Sequence, residues 1–316
     1  MRLCRFNHQG YVQVGFYEDT HVVGLDTFKA LIPGPFADLA ASDDLLDFLP
    51  PDGPFGKQVR QCAAHWESTS PDLRRRCALP LAEVQLRVPM ARPSKILLLA
   101  GNYAEHIKEG GGVAAERQQT FPYFFTKPPS TTLTHPGAPV RIPAVSPNHV
   151  DWEIELGVVI GRTCKGVSES EALKYVAGYT ICNDISDRKM QINPGRQPRE
   201  KDRFFDWLHG KWHDTFLPMG PCLLSADAVS DPQRFPLKLK VNGRVMQDAS
   251  TAQMVFPVAA LVSILSSFVT LERGDVISTG TPSGVGFARK PPAFLKPGDV
   301  LEATIEGIGT LRNPVE

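Results

Sequence analysis

The 316-residue chain has no excess of charge of either sign, with 34 Lys and Arg against 34 Asp and Glu. No global field therefore draws it to nucleic acid or to an anionic membrane. No apolar run approaches the length of a membrane span. Behind Met1-Arg2-Leu3-Cys4-Arg5 there is no apolar stretch either, so no signal peptide is expected and a cytoplasmic protein is. The six cysteines (Cys4, Cys62, Cys77, Cys164, Cys182, Cys222) are scattered without a C-x-x-C pair. That spacing excludes a cysteine-rich zinc site and a disulfide-stapled framework, and predicts free thiols in packed positions. H-E-x-x-H and G-x-S-x-G are both missing, which argues against a zinc peptidase and against a serine hydrolase of the α/β type.

Proline and glycine, by contrast, are plentiful at 28 and 26 residues, which points to many strands joined by turns. Residues 1 to about 86 read as a small unit with strands over Tyr11–Tyr17 and His21–Leu25. Helices are expected over Phe36–Leu49, stopped by Pro50-Pro51, and over Phe55–Glu67. Arg87 to Pro93 carries two prolines and reads as a linker. Beyond it, Lys95–Ala100 reads as a buried strand, Phe121–Pro128 as an aromatic core strand, and Tyr179–Asp184 as a strand delivering Asp184 at its end. Ser168-Glu169-Ser170-Glu171 reads as a capping box opening a helix that ends near Gly178. Leu237–Met246 alternates around Asn242-Gly243 as a hairpin. Pro257 opens an apolar helix to about Phe268, and Val276–Ser278 and Leu301–Ile305 read as further strands.

The stretch with the most chemistry is Asp151-Trp152-Glu153-Ile154-Glu155-Leu156-Gly157-Val158-Val159-Ile160-Gly161. Read as one strand, it places Glu153 and Glu155 side by side on one face, and Asp151 is assigned to the other. Two carboxylates that close need a cation or a shared proton between them, and a hard divalent metal suits them. An edge strand with its acids in water reads the pattern equally well. His106 and Glu109 lie three apart in a helical turn, the spacing by which a carboxylate orients a general base. A surface ion pair closing a short helix has the same spacing. Thr279-Gly280-Thr281-Pro282-Ser283-Gly284 offers glycine-freed amides and threonine hydroxyls to a carboxylate or phosphate. It lacks the G-K-[ST] ending of a P-loop. Arg188 and Gln191 follow Asp184 closely, and Lys211 stands alone.

Together these segments resemble the fumarylacetoacetase (fumarylacetoacetate hydrolase) family, and most closely its domain-2-containing proteins, acylpyruvases and oxaloacetate decarboxylases. The resemblance runs from about Ile96 to the C-terminus. It rests on Gly101-Asn102-Tyr103-x-x-His106-x-x-Glu109, Asp151-Trp152-Glu153-x-Glu155-Leu156, Gly178-Tyr179-Thr180 with Asn183-Asp184, Asp214-Thr215-Phe216 with Pro218-x-Gly220-Pro221, Val241-Asn242-Gly243, and Gly274-Asp275-Val276-Ile277-x-Thr279-Gly280-Thr281-Pro282-x-Gly284-Val285-Gly286. The resemblance implies a mostly β (α+β) fold, a mixed sandwich roll with few helices, over residues 94–316. A small N-terminal α+β domain at 1–88 precedes it. Glu153, Glu155 and Asp184 are implied as ligands of Mg²⁺ or Mn²⁺, and His106 with Glu109 as a water-activating dyad on a closing lid. Lys211 is implied as the active-site lysine, Arg188 and Gln191 as substrate contacts, and Thr281 with Gly280 as the carboxylate site. Where the family usually has Ser-Ala-Arg-Asp, this chain has Ser186-Asp187-Arg188-Lys189, a departure that bears on substrate preference more than on metal binding.

The implied activity is metal-dependent hydrolysis of the C–C bond of an acylpyruvate-type (2,4-dioxo acid) substrate through a pyruvate enolate. An oxaloacetate decarboxylase or tautomerase uses the same enolate, and a catalytically silent 2-oxo acid binding protein is the alternative from another class. A homodimer acting on a small molecule is expected, with neither nucleic acid nor membrane as partner.

Overall fold

The computed structural model describes residues 1–316 except 33, 35–38, 40, 115, 116 and 191. Its centre is Ile154–Ile160, a run of aliphatic and β-branched residues in which every side chain is buried. It pairs antiparallel with Val176–Asn183 on one side and with Val276–Ser278 on the other. Outward from Val276–Ser278 the sheet continues through Ile96–Ala100, in parallel, to Tyr123–Thr126. In the opposite direction it passes through Leu217–Ser225 to Arg2–His8, Tyr11–Tyr17, His21–Gly24 and Leu79–Pro80. The leading segment thus joins the sheet through Arg2–His8, whose Arg2 and Leu3 face Leu224 and Leu223.

A second sheet of four strands, in the order Arg244–Ser250, Pro236–Val241, Val300–Ile305 and Gly309–Pro314, packs over one face of the first. Its middle strands alternate buried and partly exposed positions, as a sheet covered on one side must. Leu237, Leu239, Ala303 and Ile305 meet Ile154, Leu156, Val158 and Ile181 in one core. The other face of the large sheet, with Val159, Ala177 and Val276, packs on Phe28, Phe48, Val59 and Trp66 of the leading segment. Val158 and Val159 therefore serve different cores, as the period of two requires. The architecture is the mostly β sandwich with few helices expected from the sequence. All six cysteines are free and buried. Among the described residues no helix is long and apolar enough to cross a membrane.

Several elements differ from expectation for local reasons. The expected 151–161 strand is two: Val150–Asp151 pairs with Ser186–Asp187, Trp152 and Glu153 leave the ladder, and pairing resumes at Ile154. The helix expected over Phe36–Leu49 falls partly outside the described residues. Over the remainder only a 3₁₀ turn, Leu45–Phe48, forms, with the Asp44 side chain accepting from the Leu46 amide. The Ser168 capping box is not made. The helix there spans only Glu169–Ala172, and the next strand begins at Val176, so Gly178 lies within it. The aromatic segment at Tyr123–Thr126 is an edge strand rather than a core one, with Tyr123 77% exposed. Arg2–His8 and Gly309–Pro314 are strands that the sequence reading omitted. The Asn242-Gly243 hairpin is as expected, with both residues at positive φ.

Candidate active site

The break at Trp152-Glu153 shapes the site. Asn183 Oδ1 accepts from the Glu153 amide, and Gln247 Oε1 accepts from the Ile154 amide, so side chains replace the missing ladder bonds. Glu153, Glu155 and Asp184 then converge, each buried, with one carboxylate oxygen apiece lying within 4.8 Å of the others. Asp151 is not in this group, yet it is not on the opposite face as assigned. Arg188 Nε donates to Asp151 Oδ1 at 2.7 Å while its Nη2 donates to Glu153 Oε1 at 2.5 Å. In a continuous strand residues two apart share a face, so the assignment misapplied that period; here the strand is interrupted, and the shared arginine itself places Asp151 and Glu153 on the same side.

Three cations enter the cluster. Lys211 Nζ donates to Glu153 Oε2 at 2.6 Å and to Asp184 Oδ2 at 2.7 Å. Arg188 bridges Asp151 and Glu153, with its guanidinium 4.6 Å from the centre of the Phe287 ring. Lys127, which the sequence reading passed over, lies 2.6 Å from Asp184 Oδ1 and donates to the carbonyls of Ile185 and Phe216. Both oxygens of Asp184 therefore face a lysine, Oδ1 Lys127 and Oδ2 Lys211. A lysine flush against the end of an aromatic strand, followed by Pro128, was the available signal.

Burial works against charge throughout the cluster, and the neighbours decide the outcome. Glu153 is held well below the usual carboxylate range, because Arg188, Lys211 and His106 outweigh its desolvation. Glu155 is pushed up to about 8 by burial, then by the negative charges of Asp184 and Glu153. Among the described residues it receives only neutral donors, Ser278 Oγ at 2.6 Å and the Gly280 amide at 2.9 Å, both on Oε2. Lys127 is lowered to about 8 by burial against the pull of Asp184. Lys211 stays above its ordinary value because Asp184 and Glu153 outweigh burial.

A divalent cation fits these residues. Three hard oxygen donors converge, and among the described residues one of the acids, Glu155, is in no ion pair. The charge count agrees. With all four acids ionised, Asp151, Glu153, Glu155 and Asp184 face three cations (Lys127, Arg188, Lys211), leaving one negative charge that a divalent ion turns into one positive.

His106 and Glu109 form the expected pair at 2.8 Å. An ionised carboxylate only accepts, so Nδ1 carries the proton and Nε2 is left to face the cluster, 4.0 Å from Glu153 Oε1. Glu109 is fixed in turn by the Gly284 amide, which donates to Oε2 at 2.9 Å. Thr281 lines the same small cavity. Its hydroxyl donates to the Ile154 carbonyl and accepts from Gln247 Nε2, so its proton is already engaged. The Gly280 amide is likewise engaged, on Glu155. Gln191 lies outside the described residues. Gln247, Asn183, Ser278 and Lys127 were not foreseen.

Residues 95–316 match the family model described as "Fumarylacetoacetate (FAA) hydrolase C-terminal". The chain belongs to the fumarylacetoacetate hydrolase family. Within that family it is 42% identical over 238 residues to the mitochondrial "Oxaloacetate tautomerase fahd2" of Xenopus laevis, covering 75% of this chain and 70% of that one. It is 45% identical over 241 residues to the "2,4-didehydro-3-deoxy-L-rhamnonate hydrolase" of Sphingomonas sp. (strain SKA58), covering 75% and 79%. Among solved structures, maleylpyruvate hydrolase from Sphingobium sp. SYK-6, in complex with manganese(II) and pyruvate, superposes with a TM-score of 0.71 at 28% identity, covering 100% of this chain and 98% of that one. This family therefore includes hydrolases and isomerases, and one neighbour of this chain holds a divalent metal.

Proposed function

We propose that this protein is a Mg²⁺- or Mn²⁺-dependent enzyme that hydrolyses the C–C bond of a 2,4-dioxo acid of the acylpyruvate type. The observation that carries the reading is the His106–Glu109 pair, aimed with a free Nε2 at a cluster of three buried carboxylates. Glu153, Glu155 and Asp184 would hold a divalent cation, which would supply Lewis-acid positive charge for a 2-oxo carboxylate and its keto oxygen. His106 Nε2 accepts a proton from water, and Glu109, held by Gly284, stabilises the imidazolium that results. Hydroxide adds to the distal carbonyl carbon and the bond to the methylene carbon breaks. The electron pair passes into the pyruvate enolate, with the Lys211 ammonium close to the developing charge. His106 then returns its proton to that carbon, so that a carboxylic acid and pyruvate leave. General-base help of this kind is worth roughly a hundred- to ten-thousand-fold in rate.

A second reading is supported by the 42% identity to an oxaloacetate tautomerase. There the same base moves one proton between carbon and oxygen, and no water attacks. Purified protein with Mg²⁺ should release pyruvate from a 2,4-dioxo acid, and His106→Gln should lose most of that rate while still binding Mn²⁺. Keto–enol interconversion of oxaloacetate without cleavage of any dioxo acid would favour the second reading. Turnover of neither would overturn both.

A further inference from the structure

A second cavity, of about 350 Å³, shares the Ala100–Gly101 wall with the carboxylate site. Its other walls include Ile107, Val113, Phe121, Tyr123, Val255 and Phe256. Ile107 follows His106 in the same short helix, so one element presents both the dyad and an apolar wall. Among the described residues no charged side chain lines this cavity, whereas the adjoining site holds four acids and three cations. Its rim is apolar as well as open: Val113 is 93% exposed, Phe121 58% and Tyr123 77%. Phe268, also exposed, has its ring centre 6.2 Å from that of Phe121, tilted by 51°. Exposed apolar side chains gathered at one mouth mark a binding surface, and the volume lies within the range of small-molecule pockets.

We propose that this cavity takes the far, uncharged end of the substrate, and that the substrate class is therefore 2-oxo acids with one carboxylate and an apolar tail. The inference rests on the enzymatic reading above and narrows it. With a divalent cation bound, the inner cluster has one surplus positive charge, which a single carboxylate neutralises. A second carboxylate at the tail would enter a mostly apolar cavity, with the Thr120 hydroxyl but, among the described residues, no cation to meet it, at a cost in desolvation. A methylene buried there instead contributes about fourfold in affinity, ~0.8 kcal/mol.

The test uses two series with Mg²⁺ present. In calorimetric titrations, 2-oxoalkanoates from 2-oxobutanoate to 2-oxooctanoate, which carry no second carbonyl to cleave, should bind about fourfold more tightly per added methylene over the first several. A 2-oxo diacid of equal length should bind at least tenfold more weakly than the monoacid. In the second series, kcat/KM for 2,4-dioxo acids should rise with tail length in the same way. Phe121→Asp, at a position more than half exposed, should cut the gain for long tails by tenfold or more. Affinity that is flat with length, or a preference for the diacid, overturns the inference and leaves the hydrolase reading standing if short dioxo acids are still cleaved. Length-dependent binding without any turnover overturns the hydrolase reading and upholds the cavity's role.

Discussion

Ser278 Oγ and the Gly280 amide both donate to Glu155 Oε2, and among the described residues no cation pairs with this carboxylate. Burial and the charges of Asp184 and Glu153 then push it up to about 8, so at neutral pH without metal it carries a proton. Glutamine copies that protonated form in shape and charge. Glu155→Gln is expected to leave the metal-free fold as stable as the wild type at pH 7, and to weaken Mn²⁺ binding by a hundredfold or more in calorimetry. Asp151→Asn, which touches Arg188 and the Phe287 amide but not the three-acid group, should keep Mn²⁺ affinity within about tenfold, the lower range seen for residues one step removed from a metal. Equal losses in the two variants would mean that the metal sits nearer Asp151 than the three-acid cluster.

The site is held by loops at strand ends, and two contacts fix them. Asn102 donates to the carbonyls of Phe256 and Thr279 and accepts from the Phe256 amide, so it ties the start of the dyad helix to the loop after Val276–Ser278. That loop ends at Gly284, at φ +104, where an added Cβ would meet the Met246 carbonyl oxygen at 2.2 Å. Gly284→Ala must therefore shift the loop and take its amide from Glu109. The expected outcome is a fall in kcat of ten- to a hundredfold with Mn²⁺ affinity retained, measured by steady-state kinetics beside calorimetry; unchanged kcat would show that Glu109 needs no anchor. How much of this was legible follows from range. Glu153 with Glu155 and His106 with Glu109 are short-range patterns, readable once a strand or a helical turn is assumed. Lys127 on Asp184, Ser278 on Glu155 and Gln247 on the Ile154 amide join strands 57, 123 and 93 residues apart, and no local periodicity encodes such pairings. Asp151 was misplaced because its parity was misassigned, since residues two apart on a strand share a face; the break at Trp152-Glu153 was a separate feature that the sequence did not signal. Most strands around Ile154–Ile160 were legible one by one, but Arg2–His8 and Leu217–Ser225 were not read as strands, and their pairing depends on packing that composition does not reveal.

Across the whole molecule, folding brings Asp184 against the Asp151–Glu155 stretch and buries all four acids, so stability and metal binding are linked to pH. Glu155 has a folded value near 8 against an ordinary 4.5, and Asp151 is pushed by burial to about 6 against 3.8, with Arg188 opposing. An acid raised in this way binds its proton more tightly when folded. Its contribution is therefore fully present below the unfolded value and is lost as pH rises through the folded one. Glu153, held low, acts in the opposite sense only below about 4.5, its ordinary value. Lys127, lowered to about 8, relieves its penalty only as pH rises past that point. Between pH 5 and 8 the metal-free protein should accordingly lose stability as pH rises, the larger shift of Glu155 outweighing His135, which is lowered by burial and by Arg87 and Arg5 and acts in the opposite sense. A divalent cation binds the ionised acids and stabilises the fold by mass action, the more so the fewer protons it must displace. Thermal unfolding in EDTA should show Tm falling by several degrees from pH 5.5 to pH 8, and saturating Mg²⁺ should level the profile, so that the metal-induced rise in Tm grows with pH. A Tm in EDTA that climbs over this range would mean that Glu155 is ionised in the metal-free fold and that its charge is met by a group other than a metal.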